Sequence, residues 1–275
     1  WFYAVLGNVE PDPAKASVGF RLYKGRPAAG DPAANAAGWV WVPLVGEDGP
    51  FPPGLGVSTF RAASLVVYRD RLYVGTFNDM LGPLFQGGVS AILDHLRPAQ
   101  IYRLDPDDRW QLVIGDPDAT FPVRVGSHRA GFFEPTSAQA VLPAPYNTMN
   151  FSMNQYIWWM ESWKGRLFAA TFDMRVFVQY ASDEGLRMLG VDDAAQRAET
   201  IGLVSKLSAV NENPPGFDLW VTDDGVNWWP VTTDGFGSPY NYGGRTLKGT
   251  SAGLFTGTAN PFFGAQVWRI VLEGE

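Results

Sequence analysis

The sequence predicts an all-β protein built from a repeated antiparallel sheet. A seven-residue pattern recurs at residues 72–78, 167–173 and 254–260. Each copy runs through apolar or small residues to a threonine and ends in Asn or Asp, which is typical of a β-strand that stops at a polar corner. The composition agrees, because 31 glycines, 21 prolines and 11 tryptophans suit short strands joined by tight turns.

A second type of strand recurs at residues 21–24, 100–104, 218–222 and 266–270. It carries an aliphatic and an aromatic residue at adjacent positions. Adjacent side chains of a strand point to opposite faces, so this pattern is expected where both faces of a sheet are covered. Further strands follow at residues 41–45, 105–113 and 223–231.

A third type of strand precedes each heptapeptide, at residues 64–70, 159–165 and 246–252. The pairs Arg69-Asp70 and Lys164-Gly165 then form the turns of two-residue hairpins. Four consecutive antiparallel strands, repeated along a chain, are the pattern of a β-propeller blade. We therefore predict one propeller domain over residues 1–275, with about four to five four-stranded blades in a ring that need not be complete.

The first and last units differ from the others. The first lacks an innermost strand and the last lacks an outermost one, so their gaps are complementary. Propellers commonly close by sharing a sheet between the two chain ends, since an open edge invites aggregation. We expect either that the chain extends upstream of Trp1 or that its two ends meet in one sheet.

One turn resembles a known motif. Residues 221–228 carry Asp223, Gly225 and Trp228 at the spacing of the Asp-box of sialidase-like propellers, while Val221 departs from its Ser/Thr position. The resemblance implies a structural role, in which the aspartate caps backbone amides of the turn and the tryptophan packs between sheets. It implies nothing specific about activity.

Composition excludes several classes of function. A net charge of −7 and a pI near 4.9 argue against nucleic acid or an anionic membrane as the main partner. The absence of cysteine excludes thiolate chemistry, and two histidines argue against a histidine-rich metal centre. The sequence contains no apolar run of membrane-spanning length. No cofactor or metal is predicted, and we expect an extracellular or periplasmic location, although missing cysteines do not identify a compartment.

Two insertions indicate where function lies. Residues 79–99 and 174–217 interrupt successive blades, and both leave directly after a heptapeptide corner, at Asn78 and Asp173. They are predicted to contain helices, the second beginning at an Asp192 cap. Since equivalent corners lie at the same end of their blades, both insertions should rise over one face. We predict that this face is the functional one.

The candidate ligand residues belong to three groups. Corner residues Asn78, Asp173 and Asn260 either gather in a polar funnel or cap their own turns. Charged residues of the inner strands, which must face water or be paired, are Glu161, Arg245 and Lys248. Aromatic residues nearby are Tyr156, Trp158, Trp159, Trp163, Tyr240 and Tyr242, whose rings suit the faces of sugars or fill the wedges between blades.

Three functions remain open. The first is a non-catalytic propeller that binds a glycan or a protein partner through the face that bears the insertions. The alternative is a glycoside-processing hydrolase, for which Glu161 and Asp173 are the only inner carboxylates to nominate as a catalytic pair. The third is a scaffold subunit, which would expose an extended apolar surface built from the insertions.

Overall fold

A computed structural model describes residues 1–7, 18–28, 38–79, 88–132 except 89, 92 and 96, 152–178, 182–209 except 189, and 214–272. The strands are β1 (Phe2–Leu6), β2 (Arg21–Pro27), β3 (Trp39–Val45), β4 (Phe60–Tyr68), β5 (Arg71–Asn78), β6 (Ile101–Leu104), β7 (Trp110–Ile114), β8 (Asn154–Trp163), β9 (Arg166–Asp173), β10 (Leu219–Thr222), β11 (Trp229–Thr232), β12 (Gly243–Thr250), β13 (Gly253–Ala259) and β14 (Val267–Ile270). The helices are α1 (Arg175–Val178), α2 (Asp183–Met188) and α3 (Ala194–Ala209).

The strands form four antiparallel units that follow chain order. Sheet 1 is β1-β2-β3, sheet 2 is β4-β5-β6-β7, sheet 3 is β8-β9-β10-β11 and sheet 4 is β12-β13-β14. The prediction of an all-β protein with four-stranded antiparallel units is confirmed for sheets 2 and 3. The short first and last units are also confirmed.

Strand pairing between the units is limited to single residue pairs in each case. Single residue pairs, Phe77 with Tyr156 and Phe172 with Gly243, join sheets 2, 3 and 4. Within the described residues no sheet closes on itself, because β1 pairs only with β2 and β14 only with β13. The expectation that the two ends meet in one sheet is therefore wrong for this structure.

Hydrophobic clusters hold the sheets together face to face. The first contains Leu22 of sheet 1 and Tyr102 of sheet 2. The second joins sheets 2 and 3, and the third joins sheets 3 and 4. Each sheet thus packs on its neighbours in chain order, and the cores lie between sheets. We call the side of a sheet that turns to the preceding sheet its upstream face, and the other its downstream face.

The repeat is visible in the heptapeptide threonines. Their backbone N–H groups donate to the carbonyl oxygens of a polar residue before the next strand, in the pairs Thr76/Gln100, Thr171/Asp218 and Thr258/Gln266, each at 2.9 Å. In the same pairs the threonine hydroxyl accepts the backbone N–H at 2.9, 2.8 and 3.0 Å. Three copies with one hydrogen-bond pattern confirm that the same unit is repeated.

Inner strands β4, β8 and β12 begin earlier than their predicted starts at residues 64, 159 and 246. The pairing register shifts within their first residues, between Ala62 and Ser64 in β4 and between Gly244 and Thr246 in β12, for example. A β-bulge places two residues opposite one and breaks the alternation on which a sequence-based boundary depends. The missed boundaries have this cause.

The predicted hairpin turns are confirmed. Arg69 and Asp70 have φ values of 47° and 61°, and Lys164 and Gly165 have values of 47° and 72°. Positive φ at both central residues is the geometry that matches the twist of two-residue hairpins. The two-residue polar turns therefore mark where each hairpin reverses direction.

The predicted insertion helices are present, with one shift. The described residues of 88–95 are helical, and α3 covers most of the second predicted helix. Asp193, rather than Asp192, caps α3, since its carboxylate accepts the backbone N–H of Gln196 at 2.9 Å. No described helix is both long and apolar enough to span a bilayer.

Candidate functional site

Five partly exposed rings form a continuous cluster of contacts where sheets 2, 3 and 4 meet. We call them the aromatic platform: Phe77, Tyr156, Trp158, Phe172 and Tyr242. Phe77 stacks on Tyr156 with centroids 4.5 Å apart, and Tyr156 stacks on Trp158 at 5.3 Å. Trp158 and Phe172 both contact Tyr242, at 5.9 and 5.4 Å.

The backbone explains why these rings converge. Phe77 and Phe172 hold the same heptapeptide position, between the threonine and the corner residue, at the ends of β5 and β9. Tyr156 and Trp158 are on the first, bulged residues of β8, on either side of the fully buried Ile157. The platform therefore lies at the end of the sheets from which the insertions leave.

Gly243 allows Trp158 to lie against the backbone of β12. A Cβ built on Gly243 would be 2.2 Å from a carbon of the Trp158 ring, closer than any side chain tolerates. Gly243 also forms the single backbone pair with Phe172. Glycine is needed here because the Trp158 ring of sheet 3 lies directly against the β12 backbone of sheet 4 and leaves no room for a side chain.

Arg245 adds a positive charge to one end of the platform. Its guanidinium lies 5.3 Å from the centroid of the Trp158 ring, and the residue is exposed. Burial raises the pKa of the Tyr156 phenol above its ordinary value, and the nearby Arg245 charge partly opposes that rise. The phenol thus stays protonated at neutral pH, and the site offers hydrogen-bond donors beside flat apolar rings.

Glu161 and Lys248 lie further along the same inner strands. Glu161 accepts hydrogen bonds from the Lys248 ammonium at 3.2 Å and from the Gly249 backbone N–H at 3.0 Å. The Glu161 side chain is 18% exposed and that of Lys248 is 76% exposed. Glu161 therefore links the inner strands of sheets 3 and 4, and its carboxylate is already occupied.

The three predicted corner residues do not line an open funnel. Asn78 and Asp173 are 1% and 0% exposed. Asp173 accepts the backbone N–H groups of Arg175 and Gly216 and forms an ion pair of 2.7 Å with the Arg175 side chain. It therefore ties α1 and the end of the second insertion to the corner of sheet 3.

The other two corners have similar local roles. Asn78 donates to the carbonyl of His95 at 2.8 Å, which fastens the helix of the first insertion. Asn260 accepts the backbone N–H groups of Phe262 and Phe263, both at 3.0 Å. Of the two alternatives for these corners, the capping of local turns describes what the structure shows.

The nominated catalytic pair is not brought together. Glu161 lies opposite Phe168 on β9, whereas Asp173 ends that strand. Five residues of a strand separate the two positions by about 16 Å, which exceeds the roughly 5–10 Å between the carboxylates of glycosidases. Since Asp173 is also fully buried, the choice of Glu161 and Asp173 as a pair was wrong.

Sequence reasoning missed a polar cluster behind the platform. Asp218 is 4% exposed, and its carboxylate accepts the Asn154 side chain at 2.7 Å and the Trp220 indole N–H at 3.2 Å. In sheet 4, Gln266 accepts the equivalent bonds from Asn241 at 2.9 Å and Trp268 at 3.2 Å. The sequence signal for this cluster was the Gln or Asp that opens three of the four strands of the second type, at Gln100, Asp218 and Gln266.

Asp218 differs from its counterparts in being ionisable. Burial, reinforced by the negative charge of Asp173, raises its pKa to about 7. The hydrogen bonds from Trp220 and Asn154 and the charge of Arg175 act in the opposite direction. A carboxyl group that is protonated below neutrality thus replaces the neutral amide found in the neighbouring sheets.

In the turn between β10 and β11 an aspartate caps backbone amides, but one residue later than predicted. Asp224, not Asp223, accepts the backbone N–H groups of Val226 and Asn227, both at 2.7 Å. Burial alone would raise the pKa of Asp224, but these donors outweigh burial and lower it to about 2. Trp228 is 2% exposed and packs in the cluster between sheets 2 and 3.

The remaining candidate aromatics have separate surroundings. Trp163 is 7% exposed within the cluster between sheets 3 and 4, while Trp159 is 40% exposed. Tyr240 contacts Phe262 and Phe263 rather than the platform. Among the described residues no group of His, Cys, Asp and Glu is arranged to hold a metal ion.

Comparison with known proteins adds no relative. No protein-family model, no curated protein and no solved structure matches this chain. The class of protein therefore follows from its own geometry: antiparallel β-sheets packed in series, with an aromatic platform at one end.

Proposed function

We propose that this protein is a non-catalytic β-propeller whose four sheets are blades and whose aromatic platform binds a glycan. Support for the propeller comes from the serial packing of repeated sheets and from their equivalent threonine corners. An extracellular or periplasmic location belongs to the same proposal.

The observation that carries the binding role is the cluster of partly exposed rings beside Arg245. The C–H face of a sugar ring packs well on an aromatic face, and the phenols and guanidinium can bond its hydroxyl groups. Trp158 contributes the largest ring and contacts Tyr156, Phe172, Tyr242 and Arg245. It is therefore the side chain on which affinity should depend most.

A glycan is favoured over a protein partner by the shape of the surface. Interaction surfaces for proteins need a broad apolar core. Of the described insertion residues, Met188 is the only large apolar side chain that is strongly exposed. The described part of the insertions thus adds little apolar contact area beside the platform.

The test is a glycan-array screen followed by calorimetric titration of the oligosaccharide that gives the highest signal. Trp158→Ala should weaken binding at least about tenfold, equivalent to about 1.4 kcal/mol. Trp229→Ala is the matched control, because Trp229 is 52% exposed on the outer strand β11, and it should bind as the natural chain does.

Circular dichroism would establish that both variants are folded. The absence of any bound glycan on the array, or undiminished binding by Trp158→Ala, would refute the proposal.

A further inference from the structure

The inner strands of sheets 2, 3 and 4 carry a β-bulge at the same place in the repeat. In each, the pairing register skips one residue between the partners of the heptapeptide threonine and of the residue before it. The skipped residues are Ala63, Trp158 and Arg245. A bulged residue lies outside the ladder, so its side chain can be aimed away from the regular faces of a sheet. The platform tryptophan and Arg245 therefore hold equivalent positions in neighbouring sheets.

This equivalence explains why Arg245 meets Trp158. Arg245 reaches back from the upstream face of sheet 4, and its guanidinium lies 5.3 Å from the centroid of the Trp158 ring. Gly243, two residues earlier on β12, gives that ring its place against the strand. The charge is thus fixed between sheets 3 and 4, at the edge of the aromatic platform.

The carboxylates on or directly after the strands of the platform are already matched by cations. The pairs are Asp79 with Arg61 at 3.4 Å, Asp173 with Arg175 at 2.7 Å and Glu161 with Lys248 at 3.2 Å. Arg245 differs from these cations, because within the described part of the chain its guanidinium forms neither an ion pair nor a hydrogen bond. The platform therefore carries an unmatched positive charge in a chain whose net charge is −7.

The chemistry of a guanidinium defines the group that would match it. Its planar fork of N–H donors binds a carboxylate through two parallel hydrogen bonds. Contact with an aromatic ring orients the guanidinium and uses none of these donors. One guanidinium balances one carboxylate, whereas the net charge of −7 disfavours a polyanion. A ligand with a single negative charge beside an apolar ring face fits both features.

We infer that the glycan bound by the platform is acidic, and that the carboxylate of a uronic acid residue pairs with Arg245 while the sugar rings pack on the aromatic residues. This inference rests on the proposed glycan binding and specifies the class of sugar. In a hexuronic acid the carboxylate is a substituent of the pyranose ring. The sugar therefore presents a flat face and a charge together, as the platform and Arg245 do.

The test is an array of uronate oligosaccharides, each beside the neutral counterpart in which the carboxylate is reduced to a hydroxymethyl group. Calorimetric titration then compares the two members of the pair with the highest signal. The natural chain should bind the uronate at least about fivefold more tightly, because a hydrogen bond to a charged group is the stronger one. This preference should shrink as sodium chloride is raised from about 0.05 to 0.5 M, because salt screens exposed charges.

Arg245→Gln removes the charge and should bind the two members equally. Its remaining affinity for the neutral member would show that the platform is folded. Arg166→Gln is the matched control, because it removes the same charge from an exposed position at the opposite end of β9 from Phe172. It should keep the full preference for the uronate.

The outcomes separate this inference from the proposal on which it rests. A natural chain that binds the neutral member as tightly as the uronate would overturn the inference and leave glycan binding intact. A preference that survives in Arg245→Gln, or that Arg166→Gln loses to the same extent, would overturn it as well. If the chain bound no glycan of either kind, the proposed function and this inference would both be wrong.

Discussion

The carboxylate of Asp218 accepts a hydrogen bond of 2.7 Å from the side chain of Asn154, inside the corner of sheet 3. The side-chain oxygen Oδ1 of Asn154 accepts in turn from the hydroxyl of Thr171 at 2.9 Å. These bonds fasten the start of β8, which carries the platform, to the strands behind it. The stability of the platform therefore depends on an ionisable residue.

Asp218→Asn should make the protein more stable at neutral and alkaline pH. The folded state raises the pKa of Asp218 from 3.8 to about 7, so it binds this proton more tightly than the unfolded chain does. The stabilisation that this bound proton gives the folded state is complete below about pH 4 and is lost as the pH rises from about 4 to 7. The amide keeps an acceptor oxygen and has no charge, so the variant should gain up to a few kcal/mol at pH 8.

Urea unfolding across this pH range provides the measurement. Asp107→Asn, in an exposed turn, serves as the control and should follow the natural chain. If the stability of Asp218→Asn declined with pH as that of the natural chain does, the raised pKa of Asp218 would not be the cause of the decline.

Asp224→Ala should destabilise the protein by about 1–2 kcal/mol, since it removes the acceptor for two backbone N–H groups of the turn. Asp223→Ala, one residue earlier and also exposed, should change stability by less than about 0.5 kcal/mol. Because the pKa of Asp224 is lowered to about 2, its contribution is present above pH 4 and disappears as the pH falls towards 2. Chemical unfolding at pH 7 compares the two variants. Equal losses of stability would contradict the assignment of Asp224 as the residue that caps the turn.

Gly243→Ala should cost about 1–3 kcal/mol, because the new methyl group would collide with the Trp158 ring. Removing the ring should relieve the collision, so the double variant with Trp158→Ala should be less destabilised than the sum of the two single changes. Gly202→Ala, in α3 with nothing within 4 Å of the new atom, is the control and should be neutral or slightly stabilising. Additive effects of the two platform changes would show that Gly243 has another role.

Glu161→Ala should be more destabilising than Lys248→Ala. The ion pair with the exposed Lys248 is worth at most about 1 kcal/mol in water, whereas the bond from the Gly249 N–H also fixes the neighbouring strand. Glu161→Gln keeps an acceptor oxygen and should behave like Lys248→Ala. Thermal unfolding of the three variants gives the order, and a larger loss in Lys248→Ala would show that the charge pair dominates.

Local sequence determined the strands, their order and the repeat of this protein. Threonine corners, hairpin turns at Arg69-Asp70 and Lys164-Gly165, and aliphatic-aromatic pairs act through backbone geometry within a few residues, so a single sequence reveals them. The sequence also nominated Trp158, Tyr242 and Arg245 as ligand-site candidates, and the structure brings these three side chains together.

Tertiary structure alone decided which of these residues are accessible. Asp173 and Glu161 lie on the same predicted strands as the platform, yet Asp173 is buried under an insertion and Glu161 is held by a neighbouring strand. Bulges in the inner strands moved side chains from one face to the other, and the contacts that bury each residue come from the adjacent sheets and not from nearby positions in the sequence. Burial is a property of the packed neighbours, and no local pattern of residues contains it.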